Sequence, residues 1–271
     1  MMHDKISIHS VCFPGASIRE LAGHWRSLKC GRVTLSSDFL LHDAGAAARE
    51  SLQAGGHRLE SITHPFMGAR HLAGQESWHQ AREQLDRVIA VAKVLGARSI
   101  YMLTGGHGSL SWEEAAGNFG EAVAPCAARA RAAGVALLIE NASTLYADMH
   151  IAHSLRDTVR LAEMAGIGIC IDIFSCWTEA GLQQSIERAM PRCHLVQVSD
   201  YVYGDRGLPA RAVPGDGAIP LQRIISWSLH AGYAGAFDLE LIGPRIAGRE
   251  SEILRSAEYV GKMLQSLGVE N

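Results

Sequence analysis

Lysine is nearly missing from this 271-residue chain, occurring only at Lys5, Lys29, Lys93 and Lys262. None of the four follows an apolar run where a barrel would place its chemistry, which argues against Schiff-base chemistry on a lysine. A surplus of positive charge is missing too, since 25 Lys and Arg stand against 28 Asp and Glu for a formal net charge of −3. That balance gives no general attraction to phosphate backbones or anionic lipid, so neither nucleic acid nor membrane is expected as a partner. The six cysteines (Cys12, Cys30, Cys126, Cys170, Cys176, Cys193) form no CxxC pair and show no zinc-ribbon spacing; they read as reduced, mostly buried thiols. A basic leader with a small-residue cleavage site and an 18-residue apolar span are likewise absent, which predicts a soluble, unexported, cytoplasmic protein. Disorder is excluded by a composition that is 48% hydrophobic and 20% charged, enough to bury a large core.

What the chain does have is a repeated alternation of short β-type apolar runs with longer amphipathic segments. The runs are Ile6–Phe13, Val33–Phe39, Leu59–Phe66, Ser99–Thr104, Val135–Asn141, Gly168–Phe174, His194–Ser199 and Ala236–Leu241. Helical patterns begin near Ser17, Asp43, Ser77, Ser111, His153, Gly181, Pro220 and Glu250. Ser111 precedes Glu114 at capping-box spacing, and Gly96, Gly134 and Gly166 follow helical stretches as stop signals. Eight such units without a linker or a composition break predict one (β/α)8 TIM-barrel domain over residues 1–271. A doubly wound sheet fits less well, because Cys12-Phe13-Pro14-Gly15 is no glycine-rich phosphate turn. The longest irregular stretch, Tyr201 to Ala218, follows the seventh run, where a barrel binds its substrate.

Barrel chemistry collects at the C-terminal ends of the strands. Runs five to eight are closed in turn by Glu140, Asp172, Gln197 and Glu240. A single acid there often only caps a helix or forms a salt bridge, but four polar closures in succession point to a site. Crowding three buried carboxylates costs on the order of several kcal/mol each unless a cation or donors compensate. One divalent metal ion meets that need, and an all-oxygen set suits Mn²⁺ or Mg²⁺, with cobalt or zinc as alternatives.

The motifs Glu140-Asn141, Cys170-Ile171-Asp172, Val196-Gln197-Val198-Ser199-Asp200, Arg211 through Gly217 and Asp238-Leu239-Glu240 resemble the xylose-isomerase-like TIM-barrel superfamily over nearly the whole chain. The resemblance implies that Glu140, Asp172, Gln197 and Glu240 are metal ligands. It also implies that Glu140 and Glu240 are an acid/base pair on opposite faces of the substrate, with the metal stabilising an enediolate. Gln197 stands where many members have histidine, although hydroxypyruvate-isomerase-like members also have glutamine. Ser175 stands where many sugar-processing members have a histidine, and Phe174, Cys176 and Trp177 beside it suggest a pocket less polar than a free sugar wants.

His64 closes the third run, His107 lies in the glycine-rich turn after the fourth, and Arg211 lies in the loop after the seventh. Together with Trp177 they are the candidate substrate contacts, each with a plainer reading as a loop cap, surface or packing residue. His9 reads as core or pocket wall, and Asp200 as an orienting or capping group. The expected activity is an isomerase or epimerase acting on a hydroxy-carbonyl small molecule. A lyase or dehydratase using the same chemistry is the near alternative; a metabolite-binding subunit and an endonuclease IV-like phosphodiesterase are the more distant ones. Assembly as a homo-oligomer is left open.

Overall fold

The computed structural model describes residues 2–41, 44–243, 246 and 248–271. Eight parallel strands close into a barrel: β1 (Ile6–His9), β2 (Arg32–Ser36), β3 (Arg58–Pro65), β4 (Ser99–Leu103), β5 (Ala136–Glu140), β6 (Gly168–Asp172), β7 (Cys193–Val198) and β10 (Ala236–Leu239). β10 pairs with both β7 and β1, with Ile6 opposite Phe237, and that seam shuts the cylinder. The remaining two strands, β8 (Asp200–Tyr201) and β9 (Arg211–Ala212), form an antiparallel ribbon above β7.

The helices between strands are α1 (Ile18–Ser27), α2 (Ala44–Gly55), α3 (Trp78–Leu95), α4 (Trp112–Ala133), α5 (Leu155–Ala165), α6 (Ile173–Cys176), α7 (Leu182–Ala189) and α8 (Leu221–His230), and α9 (Glu250–Ser266) follows the last strand. Their starts and stops follow local chemistry. Ser17 and Ser111 each close a capping box with a glutamate three residues on, and Gly96, Gly134 and Gly166 end α3, α4 and α5 in the left-handed region. In α5 the buried Leu155, Thr158, Val159, Leu161 and Ala162 make one helical stripe, which docks against the strands. The helix start read at Asp43 lies outside the described residues.

Several strands end earlier than their apolar runs. After His9 and Ser36 the chain enters single 3₁₀ turns, Ser10–Cys12 and Ser37–Phe39, which bury Ser10, Cys12 and Ser37 without extended backbone. At β6 the side chain of Asp172 accepts the Phe174 N–H and starts α6, so the last two residues of that run are helical. The segment read as irregular between Tyr201 and Ala218 is part ribbon, because Asp200–Tyr201 and Arg211–Ala212 pair with each other.

Strand alternation divides the interior. Most of the core lies between strands and helices, while Tyr101, Leu138, Cys170 and Leu195 form a small separate cluster in the lumen. Below them the lumen is polar: Thr34 Oγ1 donates to Asp238 Oδ1 (2.8 Å) and Ser99 Oγ to Ser61 Oγ (2.9 Å). All six cysteines are free, five of them buried. Among the described residues no helix is long and apolar enough to cross a membrane.

Candidate active site

Inward parity at the ends of β5, β6 and β10 brings Glu140, Asp172 and Glu240 together, all three buried, with one carboxylate oxygen of each within 4.8 Å of the others. Gln197, paired in register with Asp172 on one side and Asp238 on the other, completes the ring of strand ends. Its amide faces Glu240, yet neither amide atom is aligned for a hydrogen bond.

Arg211 reaches into this ring from β9. Its Nη1 and Nη2 donate to Asp172 Oδ1 and Oδ2 at 2.9 and 3.0 Å, a bidentate pair, and Nη1 also donates to Ser199 Oγ at 3.1 Å. Nη2 lies 2.6 Å from Glu240 Oε2 as an ion pair. Phe174 supports the guanidinium, whose carbon stands 4.5 Å from the ring centre. The Arg211 backbone is fixed by Asp200, whose carboxylate accepts N–H groups from Tyr201 (2.8 Å), Gly215 (2.9 Å), Gly217 (3.1 Å) and Ile219 (3.0 Å). Gly217 is needed there because a Cβ would collide with that carboxylate. Asp200 thus holds the loop's shape and orients Arg211 only through the backbone, with no hydrogen bond between the two side chains.

A directed chain of hydrogen bonds fixes Glu240 from the other side. The Val11 N–H donates to His9 Nδ1 (3.0 Å), so the proton of this imidazole sits on Nε2, which donates to Tyr101 Oη (2.7 Å). Tyr101 in turn donates to Glu240 Oε1 (3.3 Å). Burial, with the nearby Arg211 charge, pushes His9 down to about 3 and keeps it neutral. His150 does similar work between β4 and β5: Nδ1 accepts the Thr104 N–H (3.1 Å) and Nε2 donates to the Glu140 carbonyl (2.8 Å).

Charge in the ring is unbalanced, with three carboxyls against one guanidinium. Burial raises the Glu140 carboxyl well above the usual carboxylate range, and the Glu240 and Asp172 charges push it the same way. Glu240 is also raised by burial, with Arg211 working against the shift. Arg211 stays charged despite burial because Asp172 and Glu240 surround it.

This donor set fits a divalent metal ion. Its oxygens converge, it carries surplus negative charge, and the Gln197 amide and Glu240 Oε2 are buried without hydrogen bonds. Glu140, Asp172, Gln197 and Glu240 are the residues that could hold such an ion, and they suit a hard one.

Three other candidates, and Ser175, are placed differently. His64 shares the outer side of β3 with Ile62 and pairs in register with Met102; its Nδ1 meets Ser37 Oγ at 2.9 Å and its Nε2 is buried without a partner. His107 is exposed in its turn. Trp177 stands on the rim, 6.1 Å from the ring of Tyr201. Ser175 donates to Asp172 Oδ2 at 2.5 Å and so supports a ring carboxylate. Tyr101 and His150 escaped the sequence reading. Tyr101 shares parity with Ser99 and Leu103, which could have marked it as inward, whereas His150 sits in a loop with no periodic signal.

The family model for the xylose isomerase-like TIM barrel matches residues 28–263. The chain belongs to this family. No curated protein matches it. Among solved structures of the same barrel, protein SMc04130 from Sinorhizobium meliloti 1021 superposes with a TM-score of 0.83 at 24% identity, covering 96% of this chain and 98% of that one. D-psicose 3-epimerase with D-tagatose, from Clostridium cellulolyticum H10, gives 0.78 at 14% identity over 98% and 100%. The IOLI protein with a bound zinc atom gives 0.80 at 12% over 97% and 99%. At these identities the likeness is one of fold.

Proposed function

We propose that this xylose isomerase-like barrel is an isomerase or epimerase that moves a proton on a small hydroxy-carbonyl compound. The observation that carries the reading is the convergence of Glu140, at the end of β5, and Glu240, just after β10, with carboxylate oxygens within 4.8 Å at the mouth end of the barrel. Glu240 is the base: Arg211 and Tyr101 both favour its ionised form by pairing with it. Glu140 accepts no hydrogen bond from the described residues through its carboxyl, so it can carry a proton and deliver it. Glu240 takes the proton from the substrate carbon while the bonding electron pair passes into the adjacent carbonyl as an enediol system. Glu140 returns a proton to the same carbon or its neighbour. A divalent ion held by Glu140, Asp172, Gln197 and Glu240 would supply Lewis-acid polarisation of the substrate oxygens. The D-psicose 3-epimerase structure supports the epimerase reading and the zinc atom in the IOLI protein supports a metal in this barrel.

Solvent exchange tests this directly. Protein loaded with Mn²⁺ in deuterated buffer should place deuterium on the carbon next to the carbonyl of a turned-over hydroxy ketone, read by NMR. Turnover that leaves every carbon-bound hydrogen in place would overturn proton abstraction.

A further inference from the structure

Around the carboxylates the cavity wall is largely apolar. The cavity measures 190 Å³, and Val11, Leu103, Phe174, Leu208 and Ile242 make up its apolar wall beside Thr63, Ser143, Tyr146 and Ser175. That volume is below the ~300–1,000 Å³ of ordinary ligand clefts, so only a small head can be enclosed.

Two of the wall hydroxyls have committed their protons, Ser175 to Asp172 and Tyr101 to Glu240, while Ser143 accepts the Leu145 N–H at 3.3 Å and keeps its own proton to donate. Among the described residues, Thr63 and Tyr146 are the wall hydroxyls without a hydrogen-bond partner. A free sugar brings a hydroxyl on nearly every carbon, and each one buried without a partner costs about 1–3 kcal/mol. A phosphorylated sugar fares worse. Arg211 is the one cation among the described residues of the wall, and Asp172 and Glu240 already engage it.

Outward from Arg211 the apolar surface continues as a series of rings. Phe174 lies under the guanidinium, Tyr201 is 6.1 Å from Phe174, Trp177 is 6.1 Å from Tyr201, and Tyr203 is 6.4 Å from Trp177. The series ends in water, with Tyr203 75% exposed and the neighbouring loop residue Leu208 50% exposed. A contiguous run of such groups at a cavity mouth is the kind of surface that an apolar part of a ligand covers.

We infer that the substrate is a neutral α-hydroxy ketone bearing an aryl group, its polar head between Glu140 and Glu240 and its aryl group along the Phe174–Tyr201–Trp177–Tyr203 edge. The inference rests on the proton-transfer reading above for the role of the head.

The test compares three probes on Mn²⁺-loaded protein: 1-hydroxy-3-phenylpropan-2-one, D-fructose and D-fructose 6-phosphate. Binding is read by calorimetry and deuterium uptake by NMR. The phenyl ketone should bind about tenfold or more tighter than either sugar, because even one unmatched hydroxyl has that effect. Trp177→Ala and Tyr203→Ala should each cut that preference about 3–10-fold, the usual worth of one aromatic contact. Equal or tighter binding of either sugar, no binding of any probe, or an unchanged preference in both variants would overturn the substrate class. Deuterium uptake by D-fructose alone would overturn it too while leaving proton transfer standing. Preferential binding of the phenyl ketone without deuterium uptake would do the reverse.

Discussion

Charged groups are buried at both ends of the barrel, and the two sets are arranged differently. At the N-terminal end Arg32 donates to Glu60 (2.7 Å) and Asp4 (3.0 Å), Arg58 also pairs with Asp4, and Arg98 lies 3.5 Å from the second oxygen of Glu60. Three guanidinium groups meet two carboxylates, and no polar atom of those five side chains is buried without a partner. At the mouth three carboxyls meet one guanidinium, and buried polar atoms on Gln197, Arg211 and Glu240 lack hydrogen bonds. Burial of charge is common to both ends, so it does not mark the site. What marks the site is a surplus of charge together with unfilled hydrogen-bonding capacity on the groups around it; isolated unpaired atoms elsewhere, such as His64 Nε2, come without that surplus.

The largest effect should come from neutralising the mouth. Glu240→Gln and Glu140→Gln should each lower turnover by about 10²–10⁴-fold, since an amide can still ligate a metal ion but cannot carry the proton. Metal content measured alongside should fall far less, and near-normal turnover in both variants would erase the functional half of the contrast. Glu60→Gln at the other end should leave Arg32 buried with one partner fewer and lower stability by about 3 kcal/mol in urea unfolding. An unchanged midpoint would mean that the closed network contributes nothing to the fold.

Acid should expose a third difference. Burial lowers His64 from 6.5 to about 4, so the unfolded chain takes up that proton first as pH falls. The stability gained from keeping His64 neutral is complete above 6.5 and is lost as pH drops through 4, a change of about 1–3 kcal/mol. His64→Gln should flatten that part of the profile, and an unaltered slope would place His64 in water. The smallest effect is also the most discriminating. In chelator-treated protein Glu140→Gln should raise stability by about 1–2 kcal/mol, because it relieves repulsion from Asp172 and Glu240. A loss of stability there would mean that the two ends of the barrel are built alike.

The barrel and its acidic ring were legible because both are written in local order. Eight apolar runs separated by helical stripes leave little but a closed parallel sheet, and an acid that directly follows such a run must stand at its end. Less legible was direction. His64 also closes a run, but it has the parity of Ile62 and faces the helices, while Thr63 faces the cavity. His107 lies beyond the end of its strand, where parity has no meaning, and the structure leaves it in water. Arg211 was found through its family motif, but its bidentate grip on Asp172 depends on Asp200 folding the loop back, a contact between backbone and side chain that no periodicity records. The ribbon of β8 and β9 was missed for a similar reason: two-residue strands are too short to alternate.

The four backbone N–H groups gathered by Asp200 also divide the long loop after β7 into parts with different fates. One part, from Arg211 to Ile219, is pinned to the barrel at both ends and holds the guanidinium in place. The other, residues 202–210, is strung between the two ribbon strands and carries Tyr203 and Leu208 at the entrance. Drift in the second part therefore changes what the entrance admits without moving the first. Rewriting those nine residues would reshape the entrance while the arginine stays where it is.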